Sequence, residues 1–222
     1  MFNELFLTRQ FDLIDSDILN KKIIVIGAGA IGSFTVMALS KLGFSNIHVY
    51  DTDVVDNENM NCQFFKISDI GKKKTEALKQ QVVDFMGLNI TTYDEWITEL
   101  NVDEIDCDIL ITAVDNMETR KIVLEESNYL YAIDPRMAAE YATMDVVHRS
   151  KGAEFSRKLF SDKDAVQERC TAKSTMYTVL LISGQICKAV KDILTGEPNI
   201  KTFDWNIKHN KLIAFSSDAK LL

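Results

Sequence analysis

The sequence predicts an α/β fold: a doubly wound, mainly parallel sheet with helices on both faces and a small antiparallel extension at the C-terminus. Three observations predict it. β-Formers at 23–26 run straight into Gly27-Ala28-Gly29-Ala30-Ile31-Gly32, a G-x-G-x-x-G turn that opens a helical pattern. Runs rich in Ile, Val and Leu then alternate with helical stretches as far as residue 148, which is the rhythm of βαβ units. Beyond residue 149 that rhythm stops, and one long helical pattern is followed by two short strands.

The elements follow in order. Residues 1–20 mix apolar residues with Glu4, Asp12, Asp15 and Asp17 without a clear period, and are expected as an arm or short helix. Residues 21–26 read as the first strand. Residues 31–42 place Phe34, Met37, Ala38 and Leu42 at helical spacing, and Gly43 closes that helix. Ile47-His48-Val49-Tyr50 is the second strand, and 53–70 is a polar loop. A helix is expected over 72–86 and a third strand over 89–93. Residues 108–114 form a buried-strand run that stops at Asp115-Asn116; a helix over 118–128 and strands over 130–133 and 141–148 follow. Residues 151–169 are charged and hold no strand. The helix over 174–194 ends at Gly196 with Pro198 beyond it, and 200–205 and 211–216 read as a closing hairpin around His209-Asn210. The expected organisation is an arm (1–20), a nucleotide-binding unit (21–150), and a crossover, long helix and hairpin (151–222) within the same compact unit.

Composition bounds the function. A chain of 222 residues, 46% hydrophobic and 26% charged, buries a sizeable core. A net charge of -8 argues against a nucleic-acid partner, which favours a basic footprint. The N-terminus lacks the pattern of a signal peptide and the apolar runs are too short to span a bilayer, so the expectation is a cytoplasmic protein with no membrane association. Of the cysteines, Cys62, Cys107, Cys170 and Cys187, no two stand at C-x-x-C spacing, so no zinc ribbon is encoded and no zinc is expected. Cys107 and Cys187 lie beside apolar residues and read as core. None of His48, His148 and His209 has a partner pattern, which argues against a catalytic histidine.

The glycine turn supplies the first chemistry. It lets backbone N–H groups at Gly27, Gly29, Ala30, Ile31 and Gly32 approach an anionic phosphate, with the helix dipole favouring the charge. Asp51 stands 19 residues after Gly32, where a carboxylate takes a ribose hydroxyl. To this point a nicotinamide-linked dehydrogenase fits equally well. Three later stretches do not suit one: Asp51-Thr52-Asp53-Val54-Val55-Asp56-Asn57-Glu58-Asn59-Met60-Asn61-Cys62-Gln63, then Gly71-Lys72-Lys73-Lys74, then Asp115-Asn116-Met117-Glu118-Thr119-Arg120.

Together, D-x-D-x-V-x-x-x-N-x-x-x-Q, G-x-x-K and D-N-x-x-x-R resemble the ThiF/MoeB adenylyltransferases and the adenylation domain of ubiquitin-activating enzymes. The resemblance runs from about Arg9 to Gly196. It implies a Rossmann-like fold, ATP and Mg2+ as cofactors, and activation of a carboxylate as an acyl-adenylate with release of pyrophosphate. Such chemistry suits the residue types, because a carboxylate is already a nucleophile and the protein must mainly align and neutralise charge. By resemblance, Lys74 is the cation at the phosphates, while Lys72 and Lys73 read as a solvated run. Asp115 is the Mg2+ ligand, with Asn116 beside it; Asp115 with Glu118 also reads as a helix-capping pair. Asp51 and Asp53 bind ribose or stabilise their loop. Asn59 and Gln63 approach the phosphates, or Asn59 forms a turn. Arg9, next to Gln10, reaches the phosphates of the other subunit in a homodimer or heterodimer, or pairs with surface acids. Cys170, between Arg169 and Lys173, accepts the activated acyl group or sulfur, or is a structural thiol. The stretch Arg136-Met137-Ala138-Ala139-Glu140 matches part of the family's substrate groove.

The implied partner is a ubiquitin-like or sulfur-carrier protein with a Gly-Gly C-terminus; other relatives adenylate a peptide or a carboxylate on a tRNA base, and some are non-catalytic scaffold halves of an activating pair. One departure stands out. Cys62 occupies the place of an arginine in the family's N-x-x-R-Q pattern, leaving Arg120, Arg136 and Lys66 as candidates to supply the missing charge.

Overall fold

The computed structural model describes residues 4–159, 174–197 and 200–216. Its centre is built from the alternation of side chains along short apolar strands. In β1 (Ile23–Ile26), Ile23 and Val25 point to one face of the sheet and Ile24 and Ile26 to the other, and all four are buried. A strand apolar on both faces requires helices on both, and α1 (Ala30–Lys41) covers the first face before the chain returns as β2 (Ile47–Tyr50). Next come α2 (Lys74–Met86), β3 (Thr91–Tyr93), β4 (Asp106–Thr112) and α3 (Met117–Glu126). β5 (Asn128–Ala138) and β6 (Tyr141–His148) are joined by a tight turn, and α4 (Gly152–Ser156), α5 (Met176–Thr195), β7 (Ile200–Asn206) and β8 (Lys211–Ser216) complete the chain.

One sheet contains all eight strands in the order β3-β2-β1-β4-β5-β6-β7-β8. The first five are parallel neighbours, and β5 to β8 are antiparallel. The expected architecture, mainly parallel with an antiparallel C-terminal part, is what the chain forms. α1, α2 and α5 contribute to the core on one face, where Val36, Leu78 and Ile186 meet Val25, Ile109 and Met144. α3 and the segment around Leu159 cover the other, where Val123 and Leu124 meet Ile24 and Leu110.

Several elements differ from expectation at their ends: β4, expected over 108–114, is Asp106–Thr112, and β3, expected over 89–93, is Thr91–Tyr93. The strand expected over 130–133 extends from Asn128 to Ala138, through Asp134 and Pro135. Its pairing with β4 ends at Ile133, so the proline lies where β5 has a neighbour on one side only, a place that tolerates a missing N–H. The helix expected over 118–128 is Met117–Glu126. The arm forms two single turns, Glu4–Leu7 and Ser16–Ile18. It is docked rather than loose: Leu7 and Ile18 are buried, and the Gln10 amide donates to the Leu42 carbonyl at the end of α1 (2.6 Å). No helix among the described residues is long and apolar enough to cross a membrane.

Candidate functional site

The chain leaves β1 in one direction for β2 and β3, then returns to add β4 and β5 on β1's other side. This reversal makes the C-terminal ends of β1 and β4 a topological switch point, where open α/β sheets open a crevice. The glycine turn forms one lip of it. Gly27 has φ +98°, and a Cβ there would lie 2.6 Å from the Ala113 carbonyl oxygen beyond β4. A Cβ on Gly32 would lie 1.9 Å from the Gly27 carbonyl oxygen, so only glycine lets α1 start this close to the turn. Gly29 is different: a Cβ there meets nothing within 4 Å among the described residues. Gly27 and Gly32 serve the fold, and Gly29 leaves open the backbone at the N-terminus of α1, where orphan N–H groups and the helix dipole favour an anion.

Asp51 ties this turn to the end of β2. Its carboxylate accepts from the Ala28 N–H (2.6 Å) and from the Asp53 N–H (2.8 Å). Asp53 in turn accepts from the Lys74 ammonium (2.7 Å), and its carbonyl accepts from the Lys74 N–H (2.9 Å). Lys74, the first residue of α2, is buried at 6% exposure. A continuous chain of contacts therefore runs from the glycine turn through two carboxylates to a buried lysine. Lys72 and Lys73 are engaged elsewhere, Lys72 with Asp69 (3.0 Å) and Lys73 with Asp94 (3.2 Å) and the Thr52 carbonyl.

The loop between β2 and α2 packs over α1. The Phe64 N–H donates to the Ser33 hydroxyl (2.9 Å), and the Phe64 ring meets Phe34 edge-on. Asn59 uses its side-chain oxygen to accept from the Asp56 N–H (2.9 Å), the turn-forming role expected as the alternative to a phosphate contact. The Gln63 Oε1 is buried without a hydrogen-bond partner among the described residues, a polar atom in need of one. Cys62 is buried in the loop and forms no disulfide among the described residues.

The opposite lip follows β4. Asp115 is exposed and makes no ion pair or side-chain hydrogen bond among the described residues. The expected capping pair of Asp115 and Glu118 is corrected: Asn116 is the N-cap of α3, and its side chain accepts from the Thr119 N–H (2.9 Å). The physical reason is that Asn116 immediately precedes the first helical residue, which leaves the Asp115 carboxylate uncommitted. Mg2+ is usually held by one or two carboxylates plus substrate phosphates, and a single free carboxylate at the sheet's C-terminal edge fits that mode.

Arg120 completes the D-N-x-x-x-R pattern from behind. It is 4% exposed, pairs with Asp134, and donates to the carbonyls of Thr112 (2.8 Å) and Val114. Arg136 pairs with Asp134 (3.2 Å) and Asp145, and Lys66 pairs with Asp84 (2.8 Å). The three cations considered as replacements at the Cys62 position are therefore all engaged within the chain. Asp134, wholly buried between two arginines, carried no signal in the sequence: Arg136 is its near neighbour on β5, but Arg120 lies on α3 at no telling spacing. Burial pushes the Asp145 carboxyl above the usual range, against the pull of Arg136.

Arg9 is exposed on the arm and pairs with no surface acid among the described residues. Cys170, with Arg169 and Lys173, lies outside the described residues. The histidines are remote from this chemistry: His48 is held between Tyr93 and Asn46, and burial lowers its pKa. An acidic cleft lined by Glu99, Asp103, Glu125 and Glu126 lies at the opposite, N-terminal edge of the sheet, where its carboxylates would repel a nucleotide's phosphates.

Comparison with known proteins matches residues 8–219 to the family described as the ThiF family. Ubiquitin-like modifier-activating enzyme 5 of Oryza sativa subsp. japonica is 27% identical over 147 residues, covering 58% of this chain and 35% of that protein. The NEDD8-activating enzyme E1 catalytic subunit of Arabidopsis thaliana is 33% identical over 105 residues, covering 46% of this chain and 23% of its own. The chain thus matches about a quarter to a third of these relatives' length. Among solved structures, PaaA superposes with a TM-score of 0.77 at 18% identity, covering 96% of this chain and 73% of that one. E. coli MccB crystallised with ATP superposes with a TM-score of 0.74 at 15% identity, covering 95% and 70%.

Proposed function

The chain belongs to the ThiF family, and from that premise we propose that it is an ATP-dependent adenylyltransferase acting on the terminal carboxylate of a protein or peptide. The observation that carries this reading is the chain of contacts from the glycine turn through Asp51 and Asp53 to the buried Lys74, with the uncommitted Asp115 across the switch point. In the reaction, a substrate carboxylate oxygen attacks the α-phosphorus of ATP. The bond from that phosphorus to the bridging oxygen breaks, and pyrophosphate leaves with its electron pair. Lys74 neutralises charge on the phosphates, the amides at the start of α1 hold phosphate oxygens, and Asp51 holds the ribose. Mg2+ at Asp115 would supply further charge neutralisation on the phosphates. No proton has to move, so a site without a histidine is adequate.

The relatives support the substrate class. Two are named for activating ubiquitin-like modifiers, and MccB has been crystallised with MccA, so the proposed substrate is a ubiquitin-like or sulfur-carrier protein ending in Gly-Gly, or a short peptide. A dimer in which Arg9 completes the neighbouring site accords with its exposed, unpaired position on a docked arm. Transfer of the acyl group to Cys170, with the thiolate attacking the carbonyl carbon and AMP leaving, is a subsequent step of the same proposal.

A second reading, a non-catalytic half of an activating pair, is favoured by Cys62, which brings no charge to the phosphates while Arg120, Arg136 and Lys66 are engaged elsewhere. ATP–pyrophosphate exchange separates the two. Incorporation of labelled pyrophosphate into ATP that depends on an added carrier or peptide supports the enzyme. ATP binding without exchange supports the scaffold, and neither binding nor exchange overturns both.

A further inference from the structure

Asp134 is fully buried and carries a charge that the proposed reaction does not use. Buried ion pairs contribute less stability than apolar packing of the same volume, so their presence calls for another reason. This one is also imperfectly satisfied: the Nε atoms of Arg120 and Arg136 and the Oδ2 of Asp134 are buried without a well-directed hydrogen bond among the described residues. Stability is therefore a poor account of it. Orientation is a better one. Asp134 Oδ1 accepts from Arg120 Nη1 and from the Thr112 hydroxyl. Held there, Arg120 places its fork on the carbonyls of Thr112 (2.8 Å) and Val114. Thr112 is the last residue of the β1–β4 ladder and Val114 immediately precedes Asp115, so the fork spans the exit from β4. The planar guanidinium fixes their angle as well as their distance.

We propose that Asp134 is a positioning residue for Asp115. It acts through Arg120, which braces the exit from β4, while Asn116 fixes the chain on the other side as the cap of α3. Asp115 makes no described contact of its own, so its carboxylate inherits its place from these two anchors. The catalytic meaning of this placement rests on the adenylation reading above; the anchoring itself does not.

The test uses the full chain with Asp134→Asn, which keeps the shape and removes the charge. Two quantities are read: hydrogen exchange of the amides at 113–116, and the Mg2+ concentration needed to promote ATP binding. Loss of an outer partner of a metal ligand typically weakens the metal by 10–100-fold, so the Mg2+ requirement should rise by at least roughly tenfold, with exchange at 113–116 faster by about the same factor. Asp145→Asn removes the other partner of Arg136, one step further along the network from this segment, so both readouts should change far less than with Asp134→Asn. If Asp134→Asn does not fold, Arg120→Lys, which keeps the charge opposite Asp134 and loses the fork, should give the same two changes. Unaltered exchange at 113–116, or equal effects from Asp145→Asn, would overturn the proposal. If the native chain binds no ATP, the adenylation reading falls, and the exchange measurement still decides whether Asp134 anchors the segment.

Discussion

Lys74 sits almost entirely inside the protein, yet its ammonium meets a carboxylate, that of Asp53, whose side chain is 57% exposed. That asymmetry suits a cation that is held ready and can share its charge with an incoming phosphate. Lys74→Met keeps the aliphatic stem and removes the charge. It should lower the rate of ATP–pyrophosphate exchange by about 10²–10³-fold, the scale for losing one electrostatic donor at a transition state, with little change in thermal stability. Exchange within a fewfold of the native rate would remove Lys74 from the chemistry. The placement of Asp51 and Lys74 around the glycine turn was legible because a glycine turn, an acid at a set distance and a lysine at a helix start are local patterns. The brace from Asp134 through Arg120 to the Val114 carbonyl was not, because it joins three elements and leaves no spacing in the sequence. Asp115 and Asn116 show a finer failure: both are good helix caps, and only the structure reveals which is used and which is free.

At the scale of elements, the turn from β5 to β6 carries strain. Its two loop residues are Ala139 and Glu140, and Ala139 has φ +50°, at the first turn position where glycine is favoured. The Thr178 hydroxyl donates to the Ala139 carbonyl (3.0 Å), and the Ile207 N–H donates to the Glu140 carbonyl (2.9 Å), so neighbours hold the turn. Ala139→Gly should stabilise the protein by about 1 kcal/mol, a rise in Tm of roughly 2–4 °C by calorimetry; a fall would show that Ala139 pays no conformational penalty. The loop before α2 has a pH-dependent lock. Burial pushes the Asp69 carboxyl up, but the Lys66 N–H (3.0 Å) and the Lys72 ammonium (3.0 Å) outweigh it and hold its pKa below the usual range. Its stabilising contribution is thus present above the ordinary aspartate pKa and lost as pH falls through the depressed one. The stability gap between the native chain and Asp69→Asn should therefore be widest near neutrality and close only as pH falls through the depressed pKa, below the ordinary aspartate range. A gap that stays constant would contradict the assignment. β5 was underestimated in length because Asp-Pro-Arg reads as a strand end; the charge is neutralised by arginines and the proline falls beyond the β4 ladder, so the strand continues.

For the whole molecule, the strand order places the glycine turn and the Asp115 segment on either side of one switch point, although 82 residues separate Gly32 from Val114. The alternating pattern announced the parallel half and the turn residues the final antiparallel hairpin, but not the strand order that joins them. The exposed Arg9 leads to a prediction about assembly. If Arg9 completes a neighbouring site, Arg9→Ala and Lys74→Met chains, each inactive alone, should regain exchange when mixed, because the hybrid dimer holds one intact site. No recovery in a mixture shown to exchange subunits would place Arg9 outside the chemistry. The central claim is that the cradle built on Gly29, Asp51 and Lys74 receives ATP. Calorimetric titration tests it most directly, with the native chain and Gly29→Ala compared, since a methyl at position 29 meets nothing within 4 Å among the described residues and a bound ligand would feel it. ATP with Mg2+ should bind the native chain, Gly29→Ala should fold normally and bind at least about tenfold more weakly, and NADH should not bind. NADH binding in place of ATP, or ATP binding unchanged by Gly29→Ala, would contradict it.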